Sequence, residues 1–371
     1  MFSADGATWT VERPPIYPLF LSFFIYLFDT YYYVAASIAQ AVICFLTILL
    51  IYKISYNLFQ DRLISGFTVI LMSLDVGYIK NSIAKFETIL FTLFTLLFFF
   101  LAIKTYQKVS NRILMGIFAA LAMLTRAAGV IFYPILIVEG LIFSMQKTSR
   151  WKLKVAIPIV VLFISLIPWL ALEYSHSTKI SFTTEYAGNT LYKGNNPSFR
   201  NLFPYIEADN LSPYMQARFD NKSVSEYNDH YKKMALNYIM ENPWQFMINS
   251  TYKTVMFFSP WYIPMGEAEI YTIDENTYGI RNFKLNVSPT NIGNMIFTSI
   301  MVIGFFLFLI KQSYWRNPAL MILIFYLIVT VGIYAVTFIE TRFRFPADPI
   351  LVLFASKFYA DLLKPWMPES L

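Results

Sequence analysis

One cysteine and two histidines in 371 residues leave little room for the commonest thiol and metal chemistries. A lone Cys44 cannot close an intrachain disulfide, and His176 with His230 cannot supply a multi-histidine metal cage. No Gly-rich phosphate loop, HExxH, CxxC or GxSxG occurs, so the motifs of soluble nucleotide-binding and hydrolytic enzymes are absent. No internal repeat is visible. Charge is sparse as well, at 14% of residues against about 25% in soluble chains. The first 15 residues are polar and acidic without an apolar core, so a signal peptide is not expected there.

What fills the space is apolar. Hydrophobic residues make up 57% of the chain and aromatics 19%, with 36 Phe and 26 Tyr, a composition suited to a lipid-facing surface with interfacial belts. Apolar runs fall at 31–54, 63–79, 87–103, 113–125, 128–145, 155–174, 291–311, 318–338 and 344–363. The predicted fold is therefore an all-α polytopic membrane protein with about nine transmembrane helices. The run at 113–125 covers only about 20 Å at 1.5 Å per residue, so its outer end should stop inside the membrane against protein or a watery cavity.

The net charge of +6 reports orientation rather than nucleic acid, because the basic residues cluster in short loops. One set of loops holds Lys53, Arg62, Lys104, Lys108, Arg112, Lys147, Arg150, Lys152, Lys154, Lys311 and Arg316. The opposite set holds Lys80, Lys85, Arg126, Arg342 and Arg344. The richer set should be cytoplasmic, which places residues 175–290 outside and the C-terminus inside. The stretch IYPLFLSFFIYLF, after Pro14-Pro15, would invert that pattern if it crossed. It is expected to lie along the outer interface as a juxtamembrane helix, with a short tilted span as the alternative. The domains then read as 1–30 with the juxtamembrane helix, 31–174 with six membrane helices, 175–290 as an extracytoplasmic α/mixed domain, and 291–371 with three helices and a cytoplasmic tail. Within the outer domain, GNTLYKGNNPS (188–198) reads as turn-rich, and a charged helix is expected around 221–242.

Ionisable residues at membrane depth are costly and point to function. Asp75 and Glu87 bracket the first outer hairpin. Arg126 sits at the outer break in LTRAAG, and Glu340, Arg342 and Arg344 form ETRFRFP before the last helix. Carboxylates and guanidiniums on one side of the membrane could hold a phosphate and activate a hydroxyl. Snorkelling to the headgroups or pairing for structure stays open for each of them. Lys80 and Lys85 read as headgroup contacts. Cys44, the methionines and the Phe runs read as packing.

RPPIYPLFLSFF (13–24), with Arg13 and Tyr17, resembles the RPPxYPLxLA segment of the GT-C superfamily of membrane glycosyltransferases. The branch is the one holding dolichyl-phosphate-mannose protein mannosyltransferases and bacterial aminoarabinose and lipid-A core sugar transferases, glycosyltransferase family 39-like. Further matches follow in the family's order. They are KFETILFTLF, GIFAALAMLTRAAGVIFYP, NTLYKGNNP, ALNYIMENPWQFM and ETRFRFPADPILVLFAS. The set covers nearly the whole chain and is specific for the superfamily, not for a substrate.

The resemblance implies the GT-C fold and an inverting transfer of a sugar from a polyprenyl-phosphate donor, at the outer face, to a glycan, lipid or protein acceptor. It implies a carboxylate as general base, and basic residues that stabilise the departing lipid phosphate. Glu87 matches the second acidic position, and Arg126, Arg342 and Arg344 match the phosphate-binding positions. Glu340 is implied to orient those arginines, and Arg13, Tyr17 and Asp75 to support the site. Family members carry a further helix and an acidic residue upstream of the RPP segment. Here only Asp5 and Glu12 precede it, so residues 1–30 read as the remnant of a first outer loop, and Asp5 is a weak candidate for the base. A truncated or misassigned start and a degenerate relative are both open. No cofactor is certain and no metal ligand set is recognisable, although a divalent metal is left open. A glycan-binding assembly subunit and a lipid-sugar transporter are the rival readings. The expected location is a bacterial inner membrane, with membrane lipids, donor and acceptor as partners and no nucleic acid.

Overall fold

The computed structural model of the protein describes residues 13–84, 86–103, 108–145, 151–177, 187–203, 205, 208–216, 224–260, 266–274, 277–285, 288–311 and 317–366. Asp5, Glu12, Lys85, Lys104, Lys147, Arg150 and Arg316 lie outside them. In chain order the helices are α1 (Ile16–Phe28), α2 (Tyr32–Phe59), α3 (Arg62–Ser73), α4 (Val76–Ile83), α5 (Thr88–Ala102), α6 (Val109–Met123), α7 (Phe132–Met145) and α8 (Trp151–Ser177). Then come α9 (Ala187–Gly194), α10 (Phe199–Leu202), α11 (Ser212–Gln216), α12 (Val224–Glu241) and α13 (Pro243–Phe258). A hairpin follows, β1 (Gly266–Asp274) and β2 (Thr277–Leu285). The chain closes with α14 (Pro289–Ile310), α15 (Pro318–Val336), α16 (Thr341–Arg344) and α17 (Asp348–Leu363). The described residues fall into two compact units. One takes its residues from 1–183, 300–328 and 345–371, and the other from 184–299 and 329–344.

Four helical tracts among the described residues are long and apolar enough to cross a bilayer: Ile16–Phe59, Lys152–Ser175, Pro289–Ile310 and Pro318–Val336. The first joins α1 to α2 through a 3-10 turn at Asp29–Tyr31, where Asp29 takes a positive φ of 43°. The remaining apolar helices are shorter than a full crossing. Helix α5, about 22 Å long, has most of its residues buried, with Leu96, Phe98 and Phe99 wholly enclosed, so protein replaces lipid around it.

The run at 63–79 is two helices rather than one. Helix α3 starts where the Asp61 carboxylate accepts from Leu63 N at 2.8 Å and Ile64 N at 3.2 Å. Asp75 then interrupts the run by capping α4, accepting from Tyr78 N at 2.8 Å. Helix α6 begins four residues before its predicted start. That extra turn carries Arg112 out of the loop to which charge counting assigns it and into a fully buried position. Its guanidinium meets the buried Glu139 carboxylate, with Nη2 to Oε2 at 2.9 Å. Helices α6 and α8 approach closely at Gly116, where a Cβ would lie 2.6 Å from the Pro158 carbonyl.

In the other unit, α9 and α12 pack beside the antiparallel hairpin, whose register pairs Ile270 with Ile280 and Thr272 with Tyr278. Tyr192, Leu202, Met215, Tyr227, Tyr231, Ile270 and Tyr278 form its core. The predicted turn-rich stretch is helical over Ala187–Gly194 and turns only afterwards. Asn196 shapes that turn, donating to Tyr192 O at 2.8 Å and accepting from Ser198 N at 2.9 Å. Ser198 Oγ then accepts from Tyr278 N at 2.6 Å, which ties the turn to β2.

Candidate active site

Glu87 stands immediately before α5, at the end of a loop whose path is set by α2. There the Gln40 amide donates to Ala84 O at 3.3 Å and Phe86 O at 3.1 Å. Arg126 stands at the break after α6, in an extended conformation that starts a 3-10 turn over Ala127–Ile131. Gly129 allows this break, because a Cβ there would meet Met123 Cα at 2.4 Å. The two folds aim the side chains at each other, with Arg126 Nε 3.7 Å from Glu87 Oε1. The guanidinium is buried and the carboxylate is 17% exposed, so the pair has one accessible end.

Tyr17 completes this group. The start of α1 is fastened to the end of α6 by Ile16 N donating to Leu124 O at 2.9 Å, two residues from Arg126. Tyr17 is buried and stands close enough to Glu87 and Arg13 to feel both charges. Its hydroxyl faces the Gln40 side chain, and Thr88 Oγ1 finds no hydrogen-bond partner among the described residues. Buried polar groups beside a charged pair are costly to leave short of partners, so the place suits a polar ligand.

Asp75 has a structural task at the α4 cap, beside the Tyr78 hydroxyl that meets Thr47 Oγ1 at 2.7 Å. Arg13 is exposed. Among the described residues no three of His, Cys, Asp and Glu gather, so they offer no donor set to assign to a divalent ion.

The other unit holds its own charged group. Glu340 is fully buried and accepts from Arg342 Nε at 2.7 Å. Arg344 is buried and donates from Nη2 to Thr298 Oγ1 at 3.0 Å. Lys253, outside every quoted motif, and Asn195, within NTLYKGNNP, lie nearby in this unit. Lys253 Nζ donates to Thr337 O at 2.7 Å and Gly194 O at 3.2 Å, and Asn195 Nδ2 donates to Val336 O at 2.8 Å. Together they satisfy the carbonyls of Val336 and Thr337 at and just past the end of α15, shortly before Glu340. Burial pushes the Lys253 amine down to about 7. The signal in the sequence is a single Lys on the stripe Asn249, Lys253, Phe257 of an otherwise uncharged helix.

Residues 12–171, from the segment before α1 into α8, match the family described as dolichyl-phosphate-mannose-protein mannosyltransferase. No curated protein matches the chain. Among solved structures, the archaeal oligosaccharyltransferase AglB from Archaeoglobus fulgidus, in complex with an inhibitory peptide and a dolichol-phosphate, aligns with 96% of this chain. The identity is 12% and the TM-score 0.56. The present chain spans 44% of the length of that one. ArnT from Cupriavidus metallidurans, in the apo state, aligns with 97% of this chain and 68% of its own, at 11% identity and a TM-score of 0.39. The chain thus resembles that mannosyltransferase family over residues 12–171 and is similar in fold to AglB, and its apolar helical tracts make it a multi-pass membrane protein.

Proposed function

We propose that the protein transfers a sugar from a polyprenyl-phosphate donor to a hydroxyl-bearing acceptor at the membrane surface, with Glu87 and Arg126 at the reacting centre. The observation that carries this reading is the Glu87–Arg126 pair beside the buried Tyr17 hydroxyl, inside the stretch that matches the mannosyltransferase family. In the proposed step the acceptor oxygen attacks the anomeric carbon as the bond from that carbon to the phosphate oxygen breaks. The lipid phosphate leaves with the electron pair, and the acceptor proton passes to the Glu87 carboxylate. Arg126 meets the negative charge that develops on the phosphate, and being buried it does so in a medium of low dielectric. Tyr17, Gln40 and Thr88 supply polar atoms for the hydroxyls of the sugar. Within the other unit, Arg342 and Arg344 are proposed as phosphate-binding residues, with Glu340 holding Arg342 in place. The outer face of a bacterial inner membrane, and an envelope glycan, lipid or protein as acceptor, belong to the same proposal.

The test is transfer in proteoliposomes with a panel of radiolabelled polyprenyl-phosphate sugars. Glu87→Gln and Arg126→Ala should each lower transfer by about 10²-fold or more while Cys44 stays protected from thiol reagents. Transfer at the parent rate by both variants would sink the assignment of the site. A parent protein that transfers no sugar from the whole panel would count against the reaction itself.

A further inference from the structure

Helix α13 carries two unlike faces. Asn249, Lys253 and Phe257 are buried in its own unit, and the opposite stripe is apolar and exposed. Trp244 is 70% exposed, Met247 57% and Val255 60%, with Ile248 between them. At 100° per residue these four fall within one narrow arc, together with the uncharged Thr251. Met240, at the end of the preceding helix and 70% exposed, extends the stripe. A soluble domain seldom leaves such a row to water.

The position of α13 identifies what covers it. Phe257 stacks on Tyr334 near the end of α15, with centroids 6.3 Å apart and planes 20° from parallel. Lys253, one turn earlier, donates to Thr337 O just past the end of the same helix. Helix α15 is a candidate membrane span of 19 residues, about 28 Å long, close to the thickness of a hydrocarbon core. Its end therefore lies at the boundary between hydrocarbon and headgroups, and α13 is held at that level. Val336 on α15, and Ile292 and Ile296 on α14, leave further apolar surface exposed in the same unit.

Helix α12 shows the reverse side of this arrangement. Its first half exposes Glu226, Asp229, His230, Lys232 and Lys233, and its exposed apolar residues, Leu236 and Met240, come only in the turns leading to α13. A change from charged to apolar along one exposed face is what a helix needs when it descends from water onto a membrane.

We propose that the Trp244–Val255 stripe of α13 is a lipid-docking surface, lying in the interface of the bilayer with Trp244 at headgroup level. It is a second membrane attachment, formed by the loop domain rather than by a spanning helix. The inference rests on α15 crossing the membrane and not on the transfer reaction, so loss of either reading leaves the other standing.

The test uses the full chain in nanodiscs, with Cys44→Ala as background and a bimane label on Met247→Cys or, independently, Val255→Cys. Lys233→Cys on α12 is the water-facing control. Phosphatidylcholine carrying a nitroxide at carbon 5 should quench both α13 labels at least twofold more than the same lipid labelled at carbon 12. Iodide should quench them several-fold less than the label at 233. Iodide quenching equal to that at 233 would overturn the proposal in favour of a stripe open to water. Shielding from iodide without quenching by either lipid would overturn it in favour of a protein partner.

Discussion

Replacing Glu139 by Gln should unlock the membrane unit, because it strands the Arg112 guanidinium in a position with no access to water. Arg112 makes both a charged and a carbonyl contact. Its Nη2 donates to Glu139 Oε2 at 2.9 Å, and its Nε donates to Lys154 O at 2.6 Å. The second contact has a local cause. Pro158 lies inside α8 and has no N–H, so the carbonyl four residues earlier, that of Lys154, loses its helical donor. Arg112 thus neutralises one buried carboxylate and fills one proline-made gap. Removing a single partner from a buried ion pair costs about 3–5 kcal/mol, the remaining charge being the reason. The Cys44 thiol, buried in the same unit, reports the loss. In mild detergent its labelling through unfolding should quicken by about 10²- to 10³-fold in Glu139→Gln, at 1.4 kcal/mol per factor of ten. The double variant Arg112→Met with Glu139→Leu removes both charges. Its remaining loss is the Arg112 donor to the Lys154 carbonyl, worth about 1–3 kcal/mol, so it should label more slowly than Glu139→Gln. Labelling of Glu139→Gln within threefold of the parent, or a double variant no slower than the single one, would refute the account.

Lys253→Met should show a stability deficit that grows with pH. A buried amine with its pKa near 7, against 10.5 when unfolded, contributes fully only above 10.5 and loses that contribution as pH falls to 7. Thermal midpoints taken at pH 6.5 and 9.5 should therefore diverge, the variant falling further behind at the higher value, and parallel midpoints would contradict the shift. Gly194→Ala would put a Cβ 1.6 Å from Thr337 O, so the 184–299 segment should become sensitive to limited proteolysis at temperatures the parent tolerates.

The membrane helices were legible because apolar runs of that length have few alternatives. Their ends were less so. Arg112 looks like a loop cation from its neighbours, and only the carboxylate 27 residues away, on α7, makes it a core residue. The Gly and Asn residues of 188–198 signal a turn. Asn189 and Asn196 instead serve a packed unit, the former donating to Tyr227 Oη at 2.9 Å, and a partner 38 residues away is invisible to local propensity. The hairpin had a readable alternation, with Ala268 and Ile270 on β1 and Tyr278 and Ile280 on β2 turned to the core, though the many polar residues between them mask it. Of the site, charge at membrane depth nominated Glu87 and Arg126, and the RPP segment nominated Tyr17. Gln40 and Thr88 carry no charge and sit in apolar helices, so nothing in the sequence marks them as neighbours of that pair. Asp75 stands out on the same ground as Glu87, and its capping of α4 depends on a backbone contact that charge at membrane depth does not reveal.

The fastening at the end of α15 also sets an order of assembly. Asn195 precedes the carbonyl it holds by 141 residues and Lys253 by 84, so both donors are synthesised long before α15 emerges. The early-made part of the chain can fold into a receptacle, and the late helix then docks its end into it. The segment bearing Glu340, Arg342 and Arg344 begins only three residues beyond the last carbonyl so held, so it inherits its position from this late docking rather than from its own short helix. Closing such distant contacts is slow in a folding chain, and it leaves the arginines among the last groups of the unit to be fixed.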